Sequence, residues 1–334
     1  EDYVNLDWIS VESWFSNGGS SLGATRYGVE GNIPRIAQVF KKLSINGLVL
    51  IGGYDSVFYL KKLHESRPMY ESLRIPIIMV PATISNNIAC TSYSLGADTT
   101  LNVISQCCDS LRLSARSSRK RIFVVETFGK RCGYLSTMAA ISSAADNAYS
   151  RQNPPTIYDI LQDIENFKLK FNKKYLDFGL LVVSNDFSEN YTIDTITQLL
   201  NEEGKPYFTG RKALIGHIQQ GSTASPFDRF LSAKFGSKVA EKMLSWIEMS
   251  KSNKEIFSDI STSCMIASTC EGYKYFNFQK IIDETNTELR CPKNCWWSSL
   301  RTILNILSHR DFTYKSETVP NAEFVRINQN NLDF

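Results

Sequence analysis

The chain has 334 residues, of which 43% are apolar and 21% charged, and its net charge is +3. This is the composition of an ordinary globular protein, long enough for two domains or one large one. A small charge without a long basic tract argues against nucleic acid as the main partner, and no apolar run approaches the roughly 20 residues that span a bilayer.

The eight cysteines, Cys90, Cys107, Cys108, Cys132, Cys264, Cys270, Cys291 and Cys295, sit at irregular spacings. Cys291 and Cys295 come nearest to a metal clip, but only His64, His217 and His309 could complete it. Reduced cytosolic thiols are expected rather than zinc ligands or disulfides. No signal-peptide pattern is found. The first residue is Glu1 rather than Met, as expected of a processed or partial chain.

In chain order, an apolar β-type run at 47–51 precedes helix-like residues at 55–64 and a strand at 75–80. Leu101, Ile104, Cys108 and Leu111 recur at helical spacing and predict a helix over 98–115. A strand follows at 121–126, then an Ala- and Ser-rich helix at 133–145, suited to close packing. Beyond it come a helix at 156–171, a strand at 178–184, a helix at 192–203, a short strand at 212–216 and a long amphipathic helix at 227–249. Residues 250–261 and the tail after Lys315 are expected to be flexible. Strands alternating with helices predict an α/β chain with parallel sheets and helices on both faces. No internal repeat or low-complexity segment interrupts it.

Pro81-Ala82-Thr83-Ile84-Ser85-Asn86-Asn87 directly follows the predicted strand at 75–80. Small, hydrogen-bonding residues in that place suit a ligand loop, because open α/β sheets bind beyond the carboxyl ends of their strands. The segment resembles the Pro-Gly-Thr-Ile-Asp-Asn-Asp loop of ATP-dependent 6-phosphofructokinases, whose first Asp is the base. Three further segments are similar to family motifs in order and spacing. Leu50-Ile51-Gly52-Gly53-Tyr54-Asp55-Ser56 looks like the nucleotide loop, Glu126 to Tyr134 like the Glu-x-Met-Gly-Arg-x-Cys-Gly loop, and Gly216-His217-Ile218-Gln219-Gln220-Gly221 like the Gly-His-x-Gln-Arg-Gly-Gly segment.

Pro81 to Asn87, Phe128-Gly129-Lys130, His217 to Gln220 and Trp296-Trp297 resemble the carboxy-terminal regulatory half of the eukaryotic, fungal-like type. That resemblance implies two Rossmann-like lobes with mainly parallel sheets, missing the first strand region. The first lobe would span 1–96 plus 211–270 and the second 97–210 plus 271–334, with the effector between them. The implied effector is the activator fructose 2,6-bisphosphate. Arg26 would meet one phosphate. Thr83, Ser85, Asn86 and Asn87 would bind sugar hydroxyls and phosphate, and Phe128, Gly129 and Lys130 would form the floor. Asp186 stands where the family has Glu and would reach the sugar through water. His217 and Gln220 would contact the other phosphate, with Arg290 nearby, and Arg121 and Arg211 would reach in from a neighbouring subunit. Guanidinium forks and an imidazole are the expected lining for a bisphosphate.

Catalysis is not implied. Ser85 stands at the base position, where losing general-base assistance costs about 10²- to 10⁴-fold. Tyr54 stands at the Mg²⁺-binding Asp, with Asp55 one residue displaced and expected to point elsewhere, so Gly52 and Gly53 remain as a remnant of the nucleotide loop. No cofactor is expected in this half, while Mg²⁺ and ATP would serve the whole enzyme. The implied partners are the catalytic half and other subunits, in the cytoplasm. Two alternatives stay open, an active sugar-phosphate kinase and a structural subunit with an empty pocket. A dinucleotide-binding domain is disfavoured, since no Gly-x-Gly-x-x-Gly followed by an acidic residue is present.

Overall fold

The computed structural model describes residues 3–25, 28–29, 31–118, 120–172, 178–250 and 254–308. Its helices are α1 (Trp8–Val11), α2 (Ile33–Lys42), α3 (Tyr54–Glu65), α4 (Ala97–Ser118), α5 (Tyr134–Ser142), α6 (Ile157–Asn172), α7 (Ile193–Glu203), α8 (Pro226–Ser250), α9 (Phe278–Asp283) and α10 (Arg301–Leu307). The main strands are β1 (Leu48–Gly52), β2 (Ile77–Pro81), β3 (Arg121–Thr127), β4 (Asn147–Tyr149), β5 (Phe178–Ser184), β6 (Thr209–Leu214), β7 (Ser263–Thr269) and β8 (Gly272–Asn277). Two compact units result, one of Glu1–Asn102 with Gln220–Asn294 and one of Val103–Gln219 with Cys295–Phe334. No described helix is long and apolar enough to cross a membrane.

The first unit holds a four-stranded sheet in the order β1-β2-β7-β8, parallel except for β8. Every residue of β2 is buried, and its period-2 alternation feeds two cores. Ile77 and Met79 join Val57, Leu60 and Leu63 of α3, Ala37 of α2, and Phe278 and Ile281 of α9. Ile78 and Val80 join Leu231, Phe235, Val239, Met243 and Trp246 of α8. Those α8 residues recur at intervals of three or four, which places them on one helical face. Burying each such side chain contributes about 1.5–3 kcal/mol, and deep double-sided burial makes β2 the centre of the unit.

The second unit is a wholly parallel sheet in the order β4-β5-β3-β6. Ile122, Val124, Leu181 and Val183 pack against α6 and α7 through Ile160, Ile164, Phe167, Ile196 and Leu200. Gly179 permits this closeness, since a Cβ there would lie 2.5 Å from the Phe167 ring. The alternate residues Val125, Leu180 and Val182 are equally buried, on the opposite face of the sheet. Helix α5 contacts β5, and the small Ala139 and Ala140 among its fully buried residues permit close approach. Trp297 is buried edge-on to Tyr134 at 5.4 Å and serves packing.

The mainly parallel α/β architecture follows the sequence reading, and several boundaries do not. The strand expected at 212–216 spans Thr209–Leu214, because Arg121 of β3 pairs with Thr209 and Glu126 with Leu214. That pairing puts 211–219 in the second unit instead of the first. Residues 271–294 belong to the first unit, because β8 pairs with β7 and α9 packs on α3. Within 250–261, expected to be flexible, 3-10 turns run over Lys254–Ser258 and Ile260–Thr262, and Phe257 is buried. Residues 251–253 and the tail after Lys315 lie outside the described residues.

Arg67 fixes that segment. It is 3% exposed, and its guanidinium donates to the carbonyl of Phe257 at 2.6 Å, to Oγ1 of Thr262 at 2.9 Å and to the carbonyl of Ile75. Burial alone pulls its pKa down to about 10. Replacing Arg67 by Ala leaves three buried acceptors unpaired, so a loss of about 3–5 kcal/mol is expected in urea unfolding. A loss below about 1 kcal/mol would show that the segment holds itself.

Candidate functional site

In the first unit, the loop after β2 is built by its own side chains. The amide N of Ala82 donates to the carbonyl of Gly52 at 2.8 Å, which stitches the ends of β1 and β2 together. Gly53 faces Thr83, and a Cβ on it would lie 3.3 Å from the Thr83 Cβ. The amide of Ser85 donates to Oγ1 of Thr83 at 3.3 Å, leaving the half-buried Ser85 side chain at the bend. Asn86 adopts a left-handed φ of 48° and is 2% exposed. Its Oδ1 accepts from the amide of Ser94 at 2.8 Å and from Oγ of Ser94 at 3.1 Å, while Nδ2 donates to the carbonyl of Ser92 at 2.9 Å. Expected to contact the ligand, Asn86 is instead turned inward, because its amide closes the loop on itself.

Asn87 reaches outward from this frame. Its Nδ2 donates to the carbonyl of Arg290 at 3.0 Å, and its Oδ1 is buried without a partner. Arg290 has a φ of 52° and lies 4.3 Å over the Tyr54 ring. Its Nη2 donates to both carboxylate oxygens of Asp55, at 2.8 and 2.9 Å. Asp55, expected to point elsewhere than the metal position, is directed by the first turn of α3 at Arg290. Burial pushes the Tyr54 phenol up, opposed by the Arg290 charge. The donor set here does not fit a nucleotide-bound Mg²⁺: the position that the resemblance gives to a metal-binding Asp holds a tyrosine ring covered by a cation, and the neighbouring carboxylate is paired. Gln220 is exposed. Arg26 lies outside the described residues.

In the second unit, the loop after β3 carries Phe128, Gly129 and Lys130. Gly129 has a φ of 119°, and a Cβ there would lie 2.9 Å from the carbonyl of Cys132, so the turn requires glycine. The amide of Lys130 donates to Oδ1 of Asn185 at 2.8 Å, and the Lys130 side chain is exposed. The Phe128 ring meets the exposed His217 edge-on at 5.1 Å. Gln219, fully buried, accepts from the amide of Phe128 at 3.0 Å and donates to the carbonyl of Gly216 at 2.8 Å. It ties the two ligand-type loops of this unit together.

Asp186 sits beside them, taken by Arg131 at 3.1 Å and by Arg151 at 3.8 Å. Its expected approach to a sugar through water has two guanidinium competitors. Arg121 pairs with Thr209, and Arg211 with Phe123, so the two arginines project from one face of neighbouring strands. Arg211 is exposed on the edge strand, and Nε of Arg121 is buried without a partner.

Sequence reasoning missed Gln219, although it adjoins Gln220 in the same motif. It also missed Asp228, which is 6% exposed and accepts from the amides of Gly96 and Thr99 at 2.9 and 2.8 Å. That carboxylate caps the start of α4. Arg131 and Arg151 carry no sequence signal beyond charge.

The loop geometry predicts a cost for Asn86→Ala. Three hydrogen bonds and a favourable left-handed residue are lost together, so stability should fall by about 2–4 kcal/mol in denaturant unfolding. A change under about 0.5 kcal/mol would contradict the account of this loop.

A family model described as "Phosphofructokinase" matches residues 1–243. The mouse ATP-dependent 6-phosphofructokinase, muscle type, is 38% identical over 90% of this chain, and the chain spans 39% of that relative's length. Among solved structures, phosphofructokinase from Saccharomyces cerevisiae aligns at a TM-score of 0.86 and 30% identity, covering 92% of this chain and 42% of that one. The Pichia pastoris phosphofructokinase in the T-state aligns at 0.82 and 30% identity, covering 91% and 35%. With its motifs in family order on a matching fold, this chain belongs to the phosphofructokinase family.

Proposed function

We propose that this chain is the regulatory half of a 6-phosphofructokinase and that it binds the activator fructose 2,6-bisphosphate. The whole enzyme would use ATP and Mg²⁺ to convert fructose 6-phosphate into fructose 1,6-bisphosphate in cytoplasmic glycolysis. Its partners would be the catalytic half and neighbouring subunits.

One observation carries the reading: beside the rigidly framed loop after β2, the turn after β1 holds Tyr54, which the resemblance sets at the metal-binding Asp, under the cation of Arg290. Tyr54 lies under Arg290 at 4.3 Å, and Asp55 is paired with that same arginine. Phosphoryl transfer needs a metal-held nucleotide and a base at the attacking hydroxyl. Ser85, at the base position, offers a hydroxyl too weakly basic at neutral pH. An effector asks for neither. It needs anion donors and hydroxyl partners, the part that the resemblance gives to Arg26, Thr83, Ser85, Asn87, Arg290, Lys130 and His217. Arg121 and Arg211 would serve a neighbouring subunit's effector, so binding is expected only in the assembled protein. A lone serine beside two phosphates also avoids the repulsion that an aspartate would bring.

Effector binding would act by differential affinity, shifting the assembly toward the form that turns over. Calorimetry on the assembled enzyme should show Arg26→Ala plus Arg290→Ala weakening activator binding by about 3 kcal/mol or more. Unchanged binding in the double variant would overturn the proposal.

A further inference from the structure

The arginine expected near the second phosphate, Arg290, already has a carboxylate of its own. In the first unit, Arg290 is seated on the Tyr54 ring at 4.3 Å, and its carbonyl is fixed by Nδ2 of Asn87 at 3.0 Å. Both Asp55 oxygens bind one nitrogen, Nη2, at 2.8 and 2.9 Å. The Nε and Nη1 N–H groups of the guanidinium have no hydrogen-bond partner among the described residues. Tyr54 is only 8% exposed, whereas the Arg290 and Asp55 side chains are 44% and 59% exposed. The platform is therefore rigid, and the ion pair on top of it is open to solvent.

We propose that the remnant of the nucleotide loop sets the strength of effector binding, with Tyr54 as the seat of Arg290 and Asp55 as an internal competitor for its charge. The inference rests on the reading of Arg290 as a phosphate ligand. An ion pair this exposed is weak enough for an entering phosphate to displace or share. Contact through Nη2 alone leaves the N–H groups of Nη1 and Nε free, so a phosphate can make a first contact there before Asp55 lets go. Once it has docked, the nearby carboxylate repels it and opposes tight binding. The ring acts in the other direction, since a cation held on an aromatic face is ordered and partly desolvated before the ligand arrives. Tyr54 and Asp55 are positioning residues here and neither touches the effector.

Adjacent residues should then give opposite signs, which a general loss of structure cannot produce. Fructose 2,6-bisphosphate is titrated calorimetrically into the assembled protein, with melting temperatures recorded for every variant. Asp55→Asn is expected to tighten binding about two- to tenfold. Tyr54→Leu is expected to weaken it about two- to thirtyfold, while Tyr54→Phe leaves it unchanged. Equal or weaker binding in Asp55→Asn overturns the competitor role, and unchanged binding in Tyr54→Leu overturns the seat. A different pattern marks failure of the underlying reading: no binding by the unmodified protein, or Arg290→Ala binding as tightly as the unmodified protein. Either result removes the basis of the inference as well.

Discussion

Strand β2 is buried along its whole length and on both faces, and that burial places everything else in the first unit. Its side chains alternate between a core with α3 and α9 and a core with α8. With both faces apolar, the polar residues that follow have one place to go, past the carboxyl end of the strand. The loop at 81–87 emerges there, stitched to the end of β1 through the Gly52 carbonyl. The second unit repeats the logic with β3 and β5, whose double-sided burial delivers Phe128 to Lys130 and Asp186 to its own loops. A chain with two such sheets has ligand-type loops because its strands leave no other site for hydrogen-bonding residues.

The two loops of the first unit are built in different ways. The loop after β2 keeps a rigid frame through the buried Asn86. The turn after β1 keeps its glycines and then closes over an aromatic ring and an ion pair. Where the resemblance puts a metal-binding Asp, a tyrosine ring carries an arginine. On the proposed reading, a platform under a cation supports anion recognition rather than a metal–nucleotide complex.

Much of this was legible in the sequence, and the limits have physical causes. Strand 178–184 was found at its true bounds because Phe-Gly-Leu-Leu-Val-Val-Ser is a continuous apolar run ended by polar residues. Helix α8 was found to within a residue, since its apolar positions keep helical spacing over 25 residues. Strands β7 and β8 were missed. The Ser, Cys, Ala and Thr of β7 dilute its apolar pattern, and its burial comes from neighbours distant in sequence. The alternation of Tyr273, Lys274 and Tyr275 next to Gly272 was a usable hairpin signal. At the site, motif order located the loops but not the directions of side chains. Asn86 turned inward and Asp55 turned toward Arg290 through contacts reaching across 8 and 235 residues of sequence, which local pattern cannot encode.

The central claim is recognition without phosphoryl transfer, and a turnover assay tests it most directly. The purified chain, with its fold checked by circular dichroism, is given ATP, Mg²⁺ and fructose 6-phosphate, and ADP release is followed in a coupled assay. The account predicts no release above the background without protein, because Ser85 supplies no base and Tyr54 no metal ligand. Sustained turnover that disappears in Asp55→Asn would contradict it, and would make Asp55 the metal ligand of an active site.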